Sequence, residues 1–206
     1  RTSAMTFSLV ARCEETGMFG VAISSSSPAV AARCSYARAG VGAVASQNVT
    51  DPTLGPLGLD LMEGGMSAAG AVAEIQRRGA FIEYRQVLIV DAKGGTAIHS
   101  GSNALGIWSE ARAENVASGG NLLANADVPK AIVDGFLAAK GHIGDRLIAA
   151  MRAGLAAGAG PWSPRRWRHL RAGIRGWRPH RNRDRDWPCG SLGAPCGWCR
   201  PARSIW

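Results

Sequence analysis

The stretch MTFSLVARCEETGMFGVAISS, Met5–Ser25, decides how the chain is read. Two runs rich in strand-forming residues, Thr6–Arg12 (TFSLVAR) and Met18–Ser25 (MFGVAISS), flank CEETG, whose Glu15, Thr16 and Gly17 supply turn chemistry. That arrangement predicts an N-terminal β-hairpin. Outward from it, Val41–Val49 (VGAVASQNV) reads as a third strand, following a Gly40 that breaks the AARCSYARAG segment. The Pro- and Gly-rich TDPTLGPLG comes next as a loop.

Two helices are expected after the loop, a short one over Gly58–Glu63 and one over Ala68–Arg78, with Ser67 as N-cap and Gly79 as stop signal. Val87–Asp91 and Thr96–Ser100, joined by AKGG, predict a second hairpin. A short run Ala113–Ala117 leads into SGGNLLAN, which reads as a glycine-rich turn. Two amphipathic helices, Val128–Lys140 and Ile143–Ala156, close the series; Asp127 and Pro129 mark the start and Gly141 the division. Strands grouped apart from helices predict an α+β fold of antiparallel sheets covered by helices, rather than a βαβ parallel sheet.

A chain of 206 residues, 46% of them hydrophobic, suits one domain with a substantial core. The net charge of +9 would suggest an anionic partner if it were spread over that domain. Residues 1–160 instead balance 13 basic against 13 acidic side chains, and residues 161–206 hold 11 Arg against Asp184 and Asp186. The same tail holds six of the seven Trp and six of the ten Pro, lacks Val, Phe, Glu and Lys, and has neither helical nor strand periodicity. Arg, Trp, Pro, Gly and Cys together are what a G/C-rich gene yields when read out of frame. The expectation is a domain over 1–160 and a disordered, out-of-frame tail over 161–206, standing where strands should close the second sheet.

Cys189, Cys196, Cys199, His169 and His180 are zinc-ligand types, but only CGWC forms a close pair, so no metal or other cofactor is expected. Alternating Arg and Trp could bind nucleic acid through the tail, without specificity for it in the domain. Five scattered cysteines do not form a secreted disulfide framework. No apolar run of 18 residues and no signal peptide are seen, which predicts a cytoplasmic protein without a membrane partner.

Thr6 carries the chemical question. An N-terminal Thr combines a nucleophilic hydroxyl with its own α-amine, whose reference pKa of about 7.7–8.0 suits a base near neutral pH. Removal of Met5 would leave that amine free; with RTSAM attached, the nitrogen is an amide and no base. The alternative is that Thr6 simply begins a strand. Ser24–Ser27 lacks the glycines and Lys of a phosphate loop, and Gly119-Gly120-Asn121 is no dinucleotide fingerprint.

MTFSLVAR, ETGMFGVAISS, ARAGVGAVASQ, GPLGLDLM, EYRQVLIVDAKG and GNLLAN, in this order, resemble a bacterial family of uncharacterised proteins, a domain of unknown function classed with the N-terminal nucleophile (Ntn) hydrolases. The resemblance runs from Met5 to about Gly158. It implies a four-layer αββα sandwich, with Thr6 as nucleophile in the cleavage of a small-molecule or peptide amide through an acyl-enzyme. Carried over by position, Ser25 ends the second strand, with Ser26 where a basic residue could have aided the site. Gln47 and Asn48 end the third strand and Asn121 sits in GGNLL, so their side chains could stabilise an oxyanion or orient substrate. Ordinary turn and strand-end bonding is the alternative for each. Arg85 could hold a substrate carboxylate or be a solvated strand-entry residue. Asp91 and His99 are expected to be structural, and Asp51 and Glu83 to be surface or capping groups. A non-catalytic binding protein on the same fold stays open, as does a homo-oligomer.

Overall fold

A computed structural model describes residues 5–158. In chain order the elements are β1 (Thr6–Arg12), β2 (Phe19–Ser25), a single turn α1 (Ala31–Cys34), β3 (Ser35–Arg38) and β4 (Gly42–Asn48). Then come α2 (Leu54–Glu63), α3 (Ala68–Arg78), a 3-10 turn at Ile82–Tyr84, β5 (Arg85–Asp91) and β6 (Thr96–Ser100). The last are β7 (Ser109–Ala113), β8 (Val116–Asn121), α4 (Val128–Ala138) and α5 (Ile143–Ala157). Both predicted hairpins form, and α3 has the predicted bounds, with the Ser67 side chain accepting from the Gly70 N–H as a cap.

Four elements differ from the sequence reading. Ser118–Asn121, the first half of the expected glycine-rich turn SGGNLLAN, belongs to β8, a central strand buried along its whole length. Its glycines serve close approach. A Cβ on Gly120 would lie 2.6 Å from Leu123 Cδ2 and 2.9 Å from the Thr6 carbonyl oxygen, and one on Gly119 would press on Gln86 at 3.3 Å. The sequence reading does not include β3 and β7, which are only 4 and 5 residues long, β7 with Glu110 and Arg112 inside it. Helix α2 starts at Leu54, ahead of the expected Gly58, and accommodates Pro56 in its first turn, where an N–H has no intrahelical partner.

The strands form two antiparallel sheets of four, ordered β2-β1-β8-β7 and β3-β4-β5-β6. Alternation along each strand sorts side chains into two faces. Phe7, Leu9 and Ala11 of β1 pack with Ile132, Phe136 and Ile143 of α4 and α5. Val44, Val87 and Ile89 pack with Leu59, Val72 and Ile75 of α2 and α3. Val10, Ala43, Ala45, Leu88, Val90 and Ala117 meet between the sheets. Among the described residues no helix is long and apolar enough to cross a membrane. The readings made for residues 161–206, including the missing closing strands, lie outside the described residues.

Asp91 and His99 both have structural partners. The Asp91 carboxylate accepts from the N–H groups of Lys93 and Gly95 in the β5–β6 turn and from Ala68, the first residue of α3, each at 2.9 Å. One buried carboxylate thereby closes a hairpin and caps a helix. Asp91→Ala leaves three N–H groups without an acceptor, and urea unfolding should show a loss of about 3 kcal/mol. His99 lies on the outer face, where Ile82 O and Gln76 Nε2 contact its two ring nitrogens at 2.9 and 2.8 Å. A carbonyl only accepts, so Nε2 carries the proton and Nδ1 accepts from Gln76.

Candidate active site

In the first sheet, β1 runs between β2 and β8, and the pairing sets Thr6 opposite Ser25 on one side and Asn121 on the other. Residues directly opposite share a face. Thr6 alternates with Ser8 and Val10, and Val10 lies between the sheets, so the row Ser25–Thr6–Asn121 faces the second sheet. Deeper rows turn apolar, with Val21, Val10 and Ala117 side by side. The space between the sheets is therefore graded, polar at the Thr6 end and hydrocarbon beyond it.

Thr6 Oγ1 lies 2.8 Å from Ser25 Oγ, which also accepts from the Ser27 N–H at 3.1 Å. Just before Thr6, the Met5 carbonyl accepts from the Ser26 N–H at 3.1 Å. Met5 and Ser26 are therefore a hydrogen-bonded pair of the ladder, and Thr6 and Ser25 the non-bonded pair whose side chains approach. The same alternation turns the Thr6 main-chain nitrogen toward β8.

Four amide side chains occupy this end, and their bonds fix which way each points. Gln47 and Gln86 stand opposite each other on β4 and β5, both buried. Gln47 Nε2 donates to the Gly119 carbonyl (3.1 Å) and to Gln86 Oε1 (2.7 Å), while its Oε1 accepts from Ser8 (2.7 Å). Gln86 Nε2 donates to the Gly120 carbonyl (3.3 Å) and to Ser100 Oγ (3.0 Å), and Ser100 donates to Glu110 (2.7 Å). Backbone carbonyls only accept, so Gly119 and Gly120 set the orientation of both glutamines. Gln86 Oε1 is then an acceptor, and Asn121 must face it with Nδ2, at 3.3 Å. Each glutamine has committed both amide hydrogens; Asn121, among the described residues, donates one of its two.

Asn48 and Arg85 lie at the same end, paired as the last residue of β4 and the first of β5. Asn48, at φ +76°, donates to the Tyr84 carbonyl at 2.5 Å and accepts from the Leu105 N–H at 3.2 Å. It ties the β4–α2, 3-10 and β6–β7 segments together. The Arg85 guanidinium is buried and donates to the carbonyls of Ala80 and Val49. Asp51 caps the next loop: bonding from the Thr53 hydroxyl, and then from the Thr53 N–H, holds its carboxyl below the usual range.

The topology thus brings Thr6, Ser25, Gln47, Asn48, Arg85 and Asn121 to one end, although Gln47 and Arg85 point into internal bonds. Sequence reasoning missed Ser8, Gln86 and Ser100. One signal was present: Gln86 precedes Leu88 and Val90 at strand period, which puts an amide on an otherwise apolar face. Among the described residues no group of three His, Cys, Asp or Glu is placed to hold a metal ion.

A family model described as a family of unknown function, DUF1028, matches residues 6–163. The crystal structure of a Silicibacter pomeroyi protein assigned to the same family model is similar, with a TM-score of 0.71 and 27% identity, over 74% of this chain and 71% of that one. No curated protein matches.

Proposed function

The chain belongs to the family of unknown function DUF1028, and on that premise we propose that it is an amide hydrolase of the N-terminal nucleophile kind, with Thr6 as its nucleophile. The observation that carries this reading is the row Ser25–Thr6–Asn121 facing the buried amides at the polar end of the stacked sheets. The order of the hydrophobic clusters, helices on sheet, sheet on sheet and sheet on helices, supports the four-layer αββα sandwich of the resemblance.

The chemistry requires Thr6 to lead the chain, so that its nitrogen is an amine. That amine takes the hydroxyl proton as Oγ1 adds to the substrate carbonyl carbon. The tetrahedral adduct collapses with cleavage of the C–N bond; the leaving nitrogen takes the proton, and the acyl group remains on Oγ1 as an ester. Water then attacks the ester and gives its proton to the amine. Oγ1 leaves, recovers a proton, and the carboxylic acid departs. Ser25 holds Oγ1 in its rotamer, and the second Asn121 amide hydrogen is a side-chain donor that orients the substrate amide on the β8 side. The substrate is a small-molecule or peptide amide, and no step needs a cofactor.

The test uses the chain beginning at residue 6, treated with a β-lactone and mapped by peptide mass spectrometry. A single acyl adduct on Thr6 is the expected result. No adduct, or one elsewhere, would overturn the reading and favour a non-catalytic binding protein.

A further inference from the structure

The Ser26 backbone N–H and the seat of the Met5 side chain bear on what this site accepts. While residue 5 is present, its carbonyl oxygen occupies the Ser26 N–H at 3.1 Å. Its side chain is partly buried against the Phe7–Leu123–Val128 cluster, with Met5 Cε 3.8 Å from the position of a Cβ on Gly158. A chain beginning at Thr6 loses both, which leaves a backbone donor on one side of the free amine and an apolar recess on the other face of the strand.

We propose that the place Met5 occupies is the acyl subsite: the Ser26 N–H receives the substrate carbonyl oxygen, and the recess takes an apolar acyl group of about methionine size. This rests on Thr6 being the nucleophile. The geometry favours it because the Met5 carbonyl carbon is bonded to the Thr6 nitrogen, so the donor already points at a carbonyl oxygen two bonds from the reacting residue. An acyl chain extending from Thr6 Oγ1 re-enters the β1–β2 ladder where residue 5 left it, as an added strand residue would. The Ser26 contribution comes from the backbone, so the absence of a basic side chain there is no handicap. Of the charged side chains at this end, Arg85 is bonded to carbonyls and Glu110 to Ser100, and neither calls for a charged acyl group.

Amide hydrogen exchange at Ser26 tests the donor without altering it. Three states of the otherwise full-length chain are compared: Met5 retained, Thr6 leading, and Thr6 leading after acylation by a β-lactone bearing a hexyl group. In the last state the lactone acyl–oxygen bond breaks, the acyl group joins Oγ1, and the freed lactone oxygen takes the hydroxyl proton. Exchange at Ser26 should be slow, then at least about 10-fold faster, then slow again, as expected for a hydrogen bond lost and remade. The hexyl lactone should also acylate Thr6 about 10-fold faster than a carboxyethyl lactone, and Ser26→Pro, which removes the N–H, should slow that acylation. Unchanged exchange between the first two states, failure of protection to return on acylation, or equal rates for the two lactones overturns the subsite. Absence of any Thr6 adduct instead overturns the nucleophile, and the acyl subsite with it.

Discussion

Thr6→Ala in a chain that begins at residue 6 is expected to abolish amide hydrolysis, lowering kcat/KM by roughly 10⁴-fold or more, as loss of a nucleophile does elsewhere. The hydroxyl is the atom that forms the ester, and Ser25 Oγ, though 2.8 Å away, has no amine attached to serve as its base. Thr6→Ser keeps hydroxyl and amine and should retain measurable turnover. A chain that keeps Met5 should also be inactive, because its residue-6 nitrogen is an amide; loss of a general base alone is worth roughly 10²–10⁴. Thr6 is only half buried, so thermal unfolding of Thr6→Ala should stay close to that of the parent. Steady-state kinetics on any amide whose acyl group labels Thr6 provides the measurement. Turnover by the alanine variant would remove Thr6 from the mechanism.

The second large effect falls on stability. Gln86→Leu is close to isosteric, yet it removes the acceptor shared by Gln47 and Asn121 and the donors to Gly120 and Ser100. Unsatisfied buried polar groups cost about 1–3 kcal/mol each. With partial relaxation, a loss of about 4 kcal/mol is expected by urea unfolding, a large share of the stability of an ordinary domain. Gln86→Glu keeps the acceptor but loses both donors and adds buried charge, so it should be no milder. A loss below about 1 kcal/mol for Gln86→Leu would mean that the network adds little to the fold. Asn121 would be freed to rotate, so residual activity should fall further than stability alone explains.

Local patterns in the sequence were good guides where the physics was local. The hairpin at Met5–Ser25 was legible because two strand-forming runs flank a short turn, and α3 because a capping Ser67 and a stopping Gly79 bracket an amphipathic face. Strand β8 was not, since Gly119 and Gly120 have the composition of a turn; their role depends on Leu123, Thr6 and Gln86, which come together only in the folded chain. The candidate site divides the same way. Thr6 could be singled out by its chemistry and Asn121 by resemblance, whereas Gln86 is one polar letter ahead of VLIVD, visible as part of a network only once β5 is stacked on β8. Arg85 looked free because its acceptors, Ala80 and Val49, lie in two separate loops.

The pairing of β1 also has a consequence for how this site can change over generations. Whether Thr6 faces the amides or the helices depends only on the parity of its distance from Val10, since adjacent residues of a strand point to opposite faces. Point substitutions along β1 can be absorbed one at a time. A single-codon deletion anywhere between Thr6 and Val10, with the apolar register kept, would turn the hydroxyl into the hydrocarbon beside Phe7 and Leu9. Insertions and deletions, more than substitutions, should therefore be what descendants of this gene avoid at its start.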